Sequence, residues 1–157
     1  MFRDAQEYIN GLKTYNRYVY KAQSARKRHH EIEVILERMG SSSSSPGAVN
    51  MVEVTYYRKG EKKTKLVPVP KLDPDPNRNA VIRAGLIDQQ CSLEKEIAYY
   101  ERKIRQIKDF SETLPDDLRK LCWDVYVRKK IGKASNDRGY SKANIYRMIR
   151  SQLEEYF

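Results

Sequence analysis

The sequence is short of the patterns that most enzymes, metalloproteins and membrane proteins need. Its two cysteines, Cys91 and Cys122, lie far apart and share no metal-ligand spacing. Each falls among helical residues, where a free cysteine behaves as a small hydrophobe, so a reduced, cytosolic protein is expected. The two histidines, His29 and His30, are adjacent. On a helix they point about 100° apart, and their basic neighbours disfavour a cation, so they read as a surface pair and no metal is expected. No phosphate-cradling glycine loop, Gly-x-Ser-x-Gly or His-Glu-x-x-His occurs, which leaves no catalytic residue and no cofactor to assign. No run of about 18 apolar residues exists, so no membrane span is expected. The polar, charged start Met1–Glu7 lacks the apolar core of a secretory signal.

Positive charge is what the sequence has in excess. The formal net charge is +10 and the pI about 9.6, a balance that favours a polyanionic partner. DNA or RNA is the usual one, an anionic membrane surface the less usual. Charged residues make up 33 % and apolar residues 39 %, which suits long solvated helices around a narrow seam better than a thick core.

Helical periodicity dominates the first forty residues. From Asp4 to Met39, Ala5, Tyr8, Leu12, Tyr15, Val19, Ala22, Ala25, Ile32, Leu36 and Met39 keep to three-and-four spacing, with no proline and with Gly11 the only glycine. The stripe is thin and implies packing on another long helix. Arg17, Lys21, Arg26, Lys27 and Arg28 crowd its middle without an acid, as a solvated face or a phosphate-contacting strip. Gly40 ends the helix, and Ser41–Gly47 reads as a flexible linker. Met51–Arg58 and Lys62–Val69 are extended runs around Lys59-Gly60-Glu61. They predict a β-hairpin with a basic tip of Arg58, Lys59, Lys62, Lys63 and Lys65. Two strands alone are marginal in water, so the hairpin must dock on the helices or stay mobile. Pro68, Pro70, Pro74 and Pro76 oppose helix there, and Asp73 and Asp75 between them read as extended linker.

A second long helix is expected over about Asn79–Phe110. Leu86, Leu93, Tyr100 and Ile107 are spaced by sevens, with Ile97 and Ile104 at a second seam position. The simplest arrangement is an antiparallel helical hairpin, with parallel dimerisation through this helix as the competitor. Ser111–Pro115 is a break, and Asp116 and Asp117 follow it where negative charge complements a helix start. Leu118, Leu121, Cys122 and Val125 mark a shorter amphipathic helix with Trp123 and Tyr126 beside them, and Gly132–Gly139 reads as polar and turn-like. Tyr8, Tyr15, Tyr99, Tyr100 and Tyr126 lie on or beside apolar stripes, where packing is the default and stacking on single-stranded bases the alternative.

The last eighteen residues carry the clearest functional pattern. Gly139 is a helix stopper and Ser141 an N-cap. Ile145, Ile149, Leu153 and Tyr156 then form one apolar stripe. Lys142, Asn144, Tyr146, Arg147 and Arg150 fall largely off it, loaded into the N-terminal half. A DNA-recognition helix has this composition, because asparagine can pair with adenine and arginine with guanine in the major groove. The alternative is an ordinary amphipathic helix with a solvated basic face. In the DNA reading Lys142, Asn144, Tyr146 and Arg147 reach bases, while Lys129, Lys130, Lys133, Arg138, Ser141 and Arg150 meet phosphate.

The run Gly139-Tyr-Ser-Lys-Ala-Asn-Ile-Tyr-Arg-Met-Ile149 resembles the recognition helix of sigma factor region four. A long helical arm, a Ser/Gly-rich interruption, a heptad helix and this tail together are similar to the RinA-like and ArpU-like transcription regulators of phages infecting Gram-positive bacteria. That resemblance covers about Leu86–Phe157, and the N-terminal arm only in character. It implies a helix-turn-helix regulator of phage genes acting in the cytoplasm of a bacterial host. Double-stranded DNA is the implied partner, with RNA polymerase and a second copy of the chain as further ones. The sequence departs from the family in the first helix of the motif, where Lys130–Arg138 offers only Ile131 and Ala134 to a core. Either that helix is shortened, with Trp123 filling the core from the preceding one, or the module is degenerate. The fold expected is all-α: a long antiparallel, coiled-coil-like hairpin, a small β-hairpin insertion and a C-terminal helix-turn-helix. Its blocks are residues 1–40, 41–78, 79–110 and 111–157. A non-enzymatic packaging or scaffold protein of phage type, small-terminase-like and with non-specific DNA contact, is the alternative.

Overall fold

A computed structural model describes residues 1–40, 50–69 and 76–157. The expected Ser41–Gly47 linker, and Pro70, Asp73, Pro74 and Asp75, lie outside these residues. The chain is mostly helical, 76 %, with a two-stranded antiparallel sheet. In chain order the elements are α1 (Ala5–Gly40), β1 (Asn50–Arg58), β2 (Glu61–Val69), α2 (Pro76–Thr113), α3 (Asp116–Cys122), a π turn (Trp123–Val127), α4 (Ile131–Arg138) and α5 (Lys142–Glu154). They form two compact units, residues 1–21 with 99–157, and residues 22–98.

In the first unit the start of α1 runs antiparallel to the end of α2, Tyr8 meeting Phe110 and Ser111, and Tyr18 meeting Tyr100. Gly11 packs closely on α2, where an added Cβ would lie 3.3 Å from Ile107 Cγ1. A larger residue there would have to displace the Ile107 and Phe2 side chains by a few tenths of an ångström, so glycine suits the position through space rather than backbone freedom. The core joins Ala5, Tyr8, Ile9 and Leu12 of α1 to Ile107, Leu114, Leu118, Leu121, Cys122, Val125 and the three apolar residues Ile145, Ile149 and Leu153 of α5. Of the expected heptad positions in this unit, Ile107 is buried whereas Tyr100 and Ile104 are half-buried.

One buried hydroxyl ties three elements together. Ser111 Oγ donates to Ile107 O (2.6 Å) and accepts from the Tyr8 hydroxyl (2.7 Å) and from Trp123 Nε1 (3.2 Å). A serine hydroxyl has one proton and two lone pairs, so its capacity is filled. Burial holds the Tyr8 hydroxyl proton to well above the usual tyrosine range.

In the second unit the β-hairpin docks on the helices, the first of the two outcomes the sequence allowed. Lys59 and Gly60 both have positive φ (53° and 78°), the two-residue turn that matches strand twist. Register pairs Val52 with Val67, Val54 with Lys65 and Tyr56 with Lys63, so these residues share one face. That face packs Val52, Val54, Val67 and Val69 on Ile35 and Met39 of α1, with Leu86 of α2 against the cluster. Beside it, the buried Glu31 carboxylate is bridged by Lys65 (3.3 Å) and Arg28 (3.2 Å), and Lys27 Nζ lies 3.8 Å from the Tyr56 ring centroid. Three cations of the expected basic tip and strip are thus engaged within the protein.

Several expectations are corrected. Pro76 opens α2 rather than opposing helix, because proline suits the first helical position, where no N–H is needed. Helix α2 runs on to Thr113, so the break shrinks to Leu114 and Pro115. The segment read as turn-like from Gly132 to Gly139 is helix α4 up to Arg138. Cys122 is buried as expected but Cys91 is exposed, and both thiols are free. Tyr156 is 42 % exposed and off the α5 core, since α5 ends at Glu154.

Candidate nucleic-acid interface

Helices α3, α4 and α5 with the π turn make a compact cluster at the C-terminal end of the first unit. Pro115 precedes α3, and Asp116 and Asp117 occupy its first turn, where carboxylates favour the positive helix end. The π turn closes through Arg128 N–H on Trp123 O (2.9 Å), and Lys130 N–H follows on Asp124 O (2.7 Å). These bonds set Lys129 in the left-handed region, φ 56°, which is uncommon for a residue with a Cβ. Trp123 packs edge-on against Tyr15, so it fills the core towards α1 as well as reaching Ser111.

Helix α4 is short, with Ala134 buried and Ile131 half-buried, the two residues the sequence offered. It ends at Gly139, φ 67°, where a left-handed residue lets Tyr140 N–H return to Ser135 O (3.2 Å). The Ser135 hydroxyl donates to Tyr140 O and closes the turn from the other side. Two residues later Ser141 caps α5, its hydroxyl accepting the Asn144 N–H at 3.3 Å. Ile145, Ile149 and Leu153 are fully buried, 0 % exposed each. Each stabilises the anchored helix by about 1.5–3 kcal/mol relative to exposure.

This anchoring determines what α5 presents outward. Asn144, Arg147 and Ser151 share the face opposite the buried stripe, and all three are exposed. Lys142 is exposed at the first turn but lies in line with Ile145 and Ile149, so it flanks that face rather than centring it. Tyr146 is 42 % exposed and Arg150 is exposed with its Nε 3.2 Å from Glu154 Oε1. Lys129, Lys130, Lys133 and Arg138 are exposed along the π-turn exit and α4. Ser141 is exposed, with its hydroxyl engaged in capping. Residues 128–150 hold eight lysines and arginines against the single acid Asp137.

Four of the expected site residues, Lys129, Tyr146, Arg147 and Arg150, line one open groove of about 500 Å³. The rest of its lining was missed in the sequence: Gln6, Ile9 and Lys13 of α1, with Val125 and Tyr126. Lys13 Nζ lies 5.8 Å from the Tyr126 ring centroid, and the Tyr126 and Tyr146 rings are 5.9 Å apart. Burial pushes the Tyr126 hydroxyl up to about 12, with the Cys122 and Tyr146 groups adding to the effect, so it stays protonated at neutral pH. Lys130, Lys133, Arg138, Lys142 and Asn144 lie outside this groove.

The two histidines sit on separate carboxylates, His29 Nε2 at 3.1 Å from Glu94 and His30 Nδ1 at 3.5 Å from Glu33. Among the described residues no group of three or more metal-ligating side chains occurs, and no helix is long and apolar enough to cross a membrane. Comparison with protein-family models, curated proteins and solved structures gave no match.

Proposed function

We propose that this protein is a non-enzymatic, sequence-specific DNA-binding transcription regulator of phage type. In this reading α4, the Gly139–Tyr140 turn and α5 act as a helix-turn-helix, and α5 enters the major groove. One observation carries it: α5 is anchored by three wholly buried residues while Asn144 and Arg147 stand exposed on its opposite face. The excess of cations over residues 128–150 supplies the phosphate attraction that positions such a helix. Asn144 and Arg147 are the base readers. Lys142 and Tyr146 flank them, and Lys129, Lys130, Lys133, Arg138, Ser141 and Arg150 meet the backbone. Double-stranded DNA is the partner, with a second copy of the chain and RNA polymerase as further proposed partners.

The test is selection of bound fragments from the source genome at moderate salt, followed by gel shift on the enriched site. Arg147→Ala and Asn144→Ala should each cost about 1–3 kcal/mol on that site and relax its base preference. An enriched site bound equally well by both variants would sink the assignment of α5.

A further inference from the structure

The groove between α1, the π turn and α5 has a composition that the recognition-helix reading does not require. Lys13, Lys129, Arg147 and Arg150 line it with no acid among the lining residues, and only Arg150 is paired, with Glu154 at 3.2 Å. Like charges gathered on one concavity repel each other, and an anionic ligand relieves that repulsion. Lys13 comes from a helix more than a hundred residues away in sequence, and the Tyr126 ring lies 5.8 Å from its ammonium. Lys129 reaches the groove from a left-handed backbone, a conformation that costs a non-glycine residue about 1–2 kcal/mol. Strain of this kind persists where surrounding structure over-determines it, and it gathers at ligand-binding positions. Here the hydrogen bonds of Arg128 and Lys130 to the π turn enforce it. The groove is open and holds about 500 Å³, room for a phosphate with its sugar.

We propose that this groove is a phosphate site in which Lys13, Lys129 and Arg150 grip one anion at its floor while Arg147 stands at its rim towards the bases, so that α1 is part of the nucleic-acid interface. The proposal rests on the α5 reading for the source of that phosphate, the backbone of the bound duplex. A free phosphate or nucleotide offers the same chemistry, and the experiment separates the two.

The full chain is titrated with labelled duplex DNA by fluorescence anisotropy at several salt concentrations, and separately with inorganic phosphate and AMP by NMR. Lys13 is exposed, so Lys13→Gln should fold as the parent does, and Lys13→Arg keeps the charge. Lys13→Gln should weaken binding to every duplex sequence and lower the log–log salt slope by about one, with Lys13→Arg restoring it. Between 50 and 200 mM salt the parent should then lose about fourfold more affinity than Lys13→Gln. Lys129→Gly should flatten the slope by the same amount. If duplex binds and either variant leaves affinity and slope unchanged, the groove proposal is overturned while the α5 reading stands. If duplex does not bind but phosphate or AMP moves the Tyr126 and Tyr146 ring resonances, and Lys13→Gln abolishes this, the groove is a phosphate site and the α5 reading falls. Silence in both titrations overturns both.

Discussion

Ser111 is the residue on which the first unit's polar bookkeeping turns, because its hydroxyl closes hydrogen bonds from α1, α2 and the π turn at once. Ser111→Ala would leave the Tyr8 hydroxyl and the Trp123 N–H without that acceptor. Unsatisfied buried groups cost about 1–3 kcal/mol each, so a loss of about 2–4 kcal/mol is expected, read as a lower urea midpoint with an unchanged slope. Cys122 makes a second prediction. Burial pushes its thiol up to about 12 from 9, so the neutral form is favoured by the folded state. Its contribution is complete below pH 9 and is lost as pH rises towards 12, since the unfolded chain gives up the proton first. Urea melts from pH 8 to 11 should show stability falling above pH 9, at up to about tenfold in the folding constant per pH unit for this proton. Cys122→Ala should move that onset up to the tyrosine range. A stability flat to pH 11 in the parent would rule out this linkage.

At the scale of elements, the joint between α4 and α5 decides how the outward face is aimed. Gly139 stands at φ 67°, and a Cβ there would meet nothing within 4 Å, so any cost of substitution lies in the backbone alone. Gly139→Ala should lose about 1 kcal/mol of stability, and Gly139→Asn less, because asparagine tolerates the left-handed region. The DNA affinity should follow the same order if the turn aims α5, and gel shifts on the selected site check it. The α5 stripe and the Ser141 cap were legible in the sequence because caps and periodicity are local properties. Helix α4 was not. Eight residues with one buried alanine carry too weak a period to register, and the helix exists because Ala134 and Ile131 find the core already built by their neighbours.

For the whole molecule, pairing of α2 with a second copy is the expected association. Its heptad residues Leu86, Leu93 and Ile97 are half-buried in the second unit, and Val81 (72 %) and Ile87 (44 %) are exposed beside them. A regulator that reads a two-fold site uses such a seam for dimerisation. Light scattering on the full chain should therefore give a dimer mass that falls to the monomer in Leu86→Glu/Leu93→Glu. A ring or larger assembly would instead favour the packaging alternative.

Most local order was settled by the sequence itself: the long helices, the hairpin around Lys59-Gly60 (although Glu61, read as turn, opens β2 and pairs with Arg58), and the anchored, capped final helix. Each follows from spacing, propensity or a single special residue, all of which act within a few positions. Tertiary structure alone decided which cations are already occupied and which are free to meet a partner. Lys27, Arg28 and Lys65, read in the sequence as basic surface, are held by Tyr56 and Glu31. Lys13, which carried no signal, stands in the groove with Arg147. Charge is additive along a chain, but the field at a site depends on distances in space, and helix packing sets those.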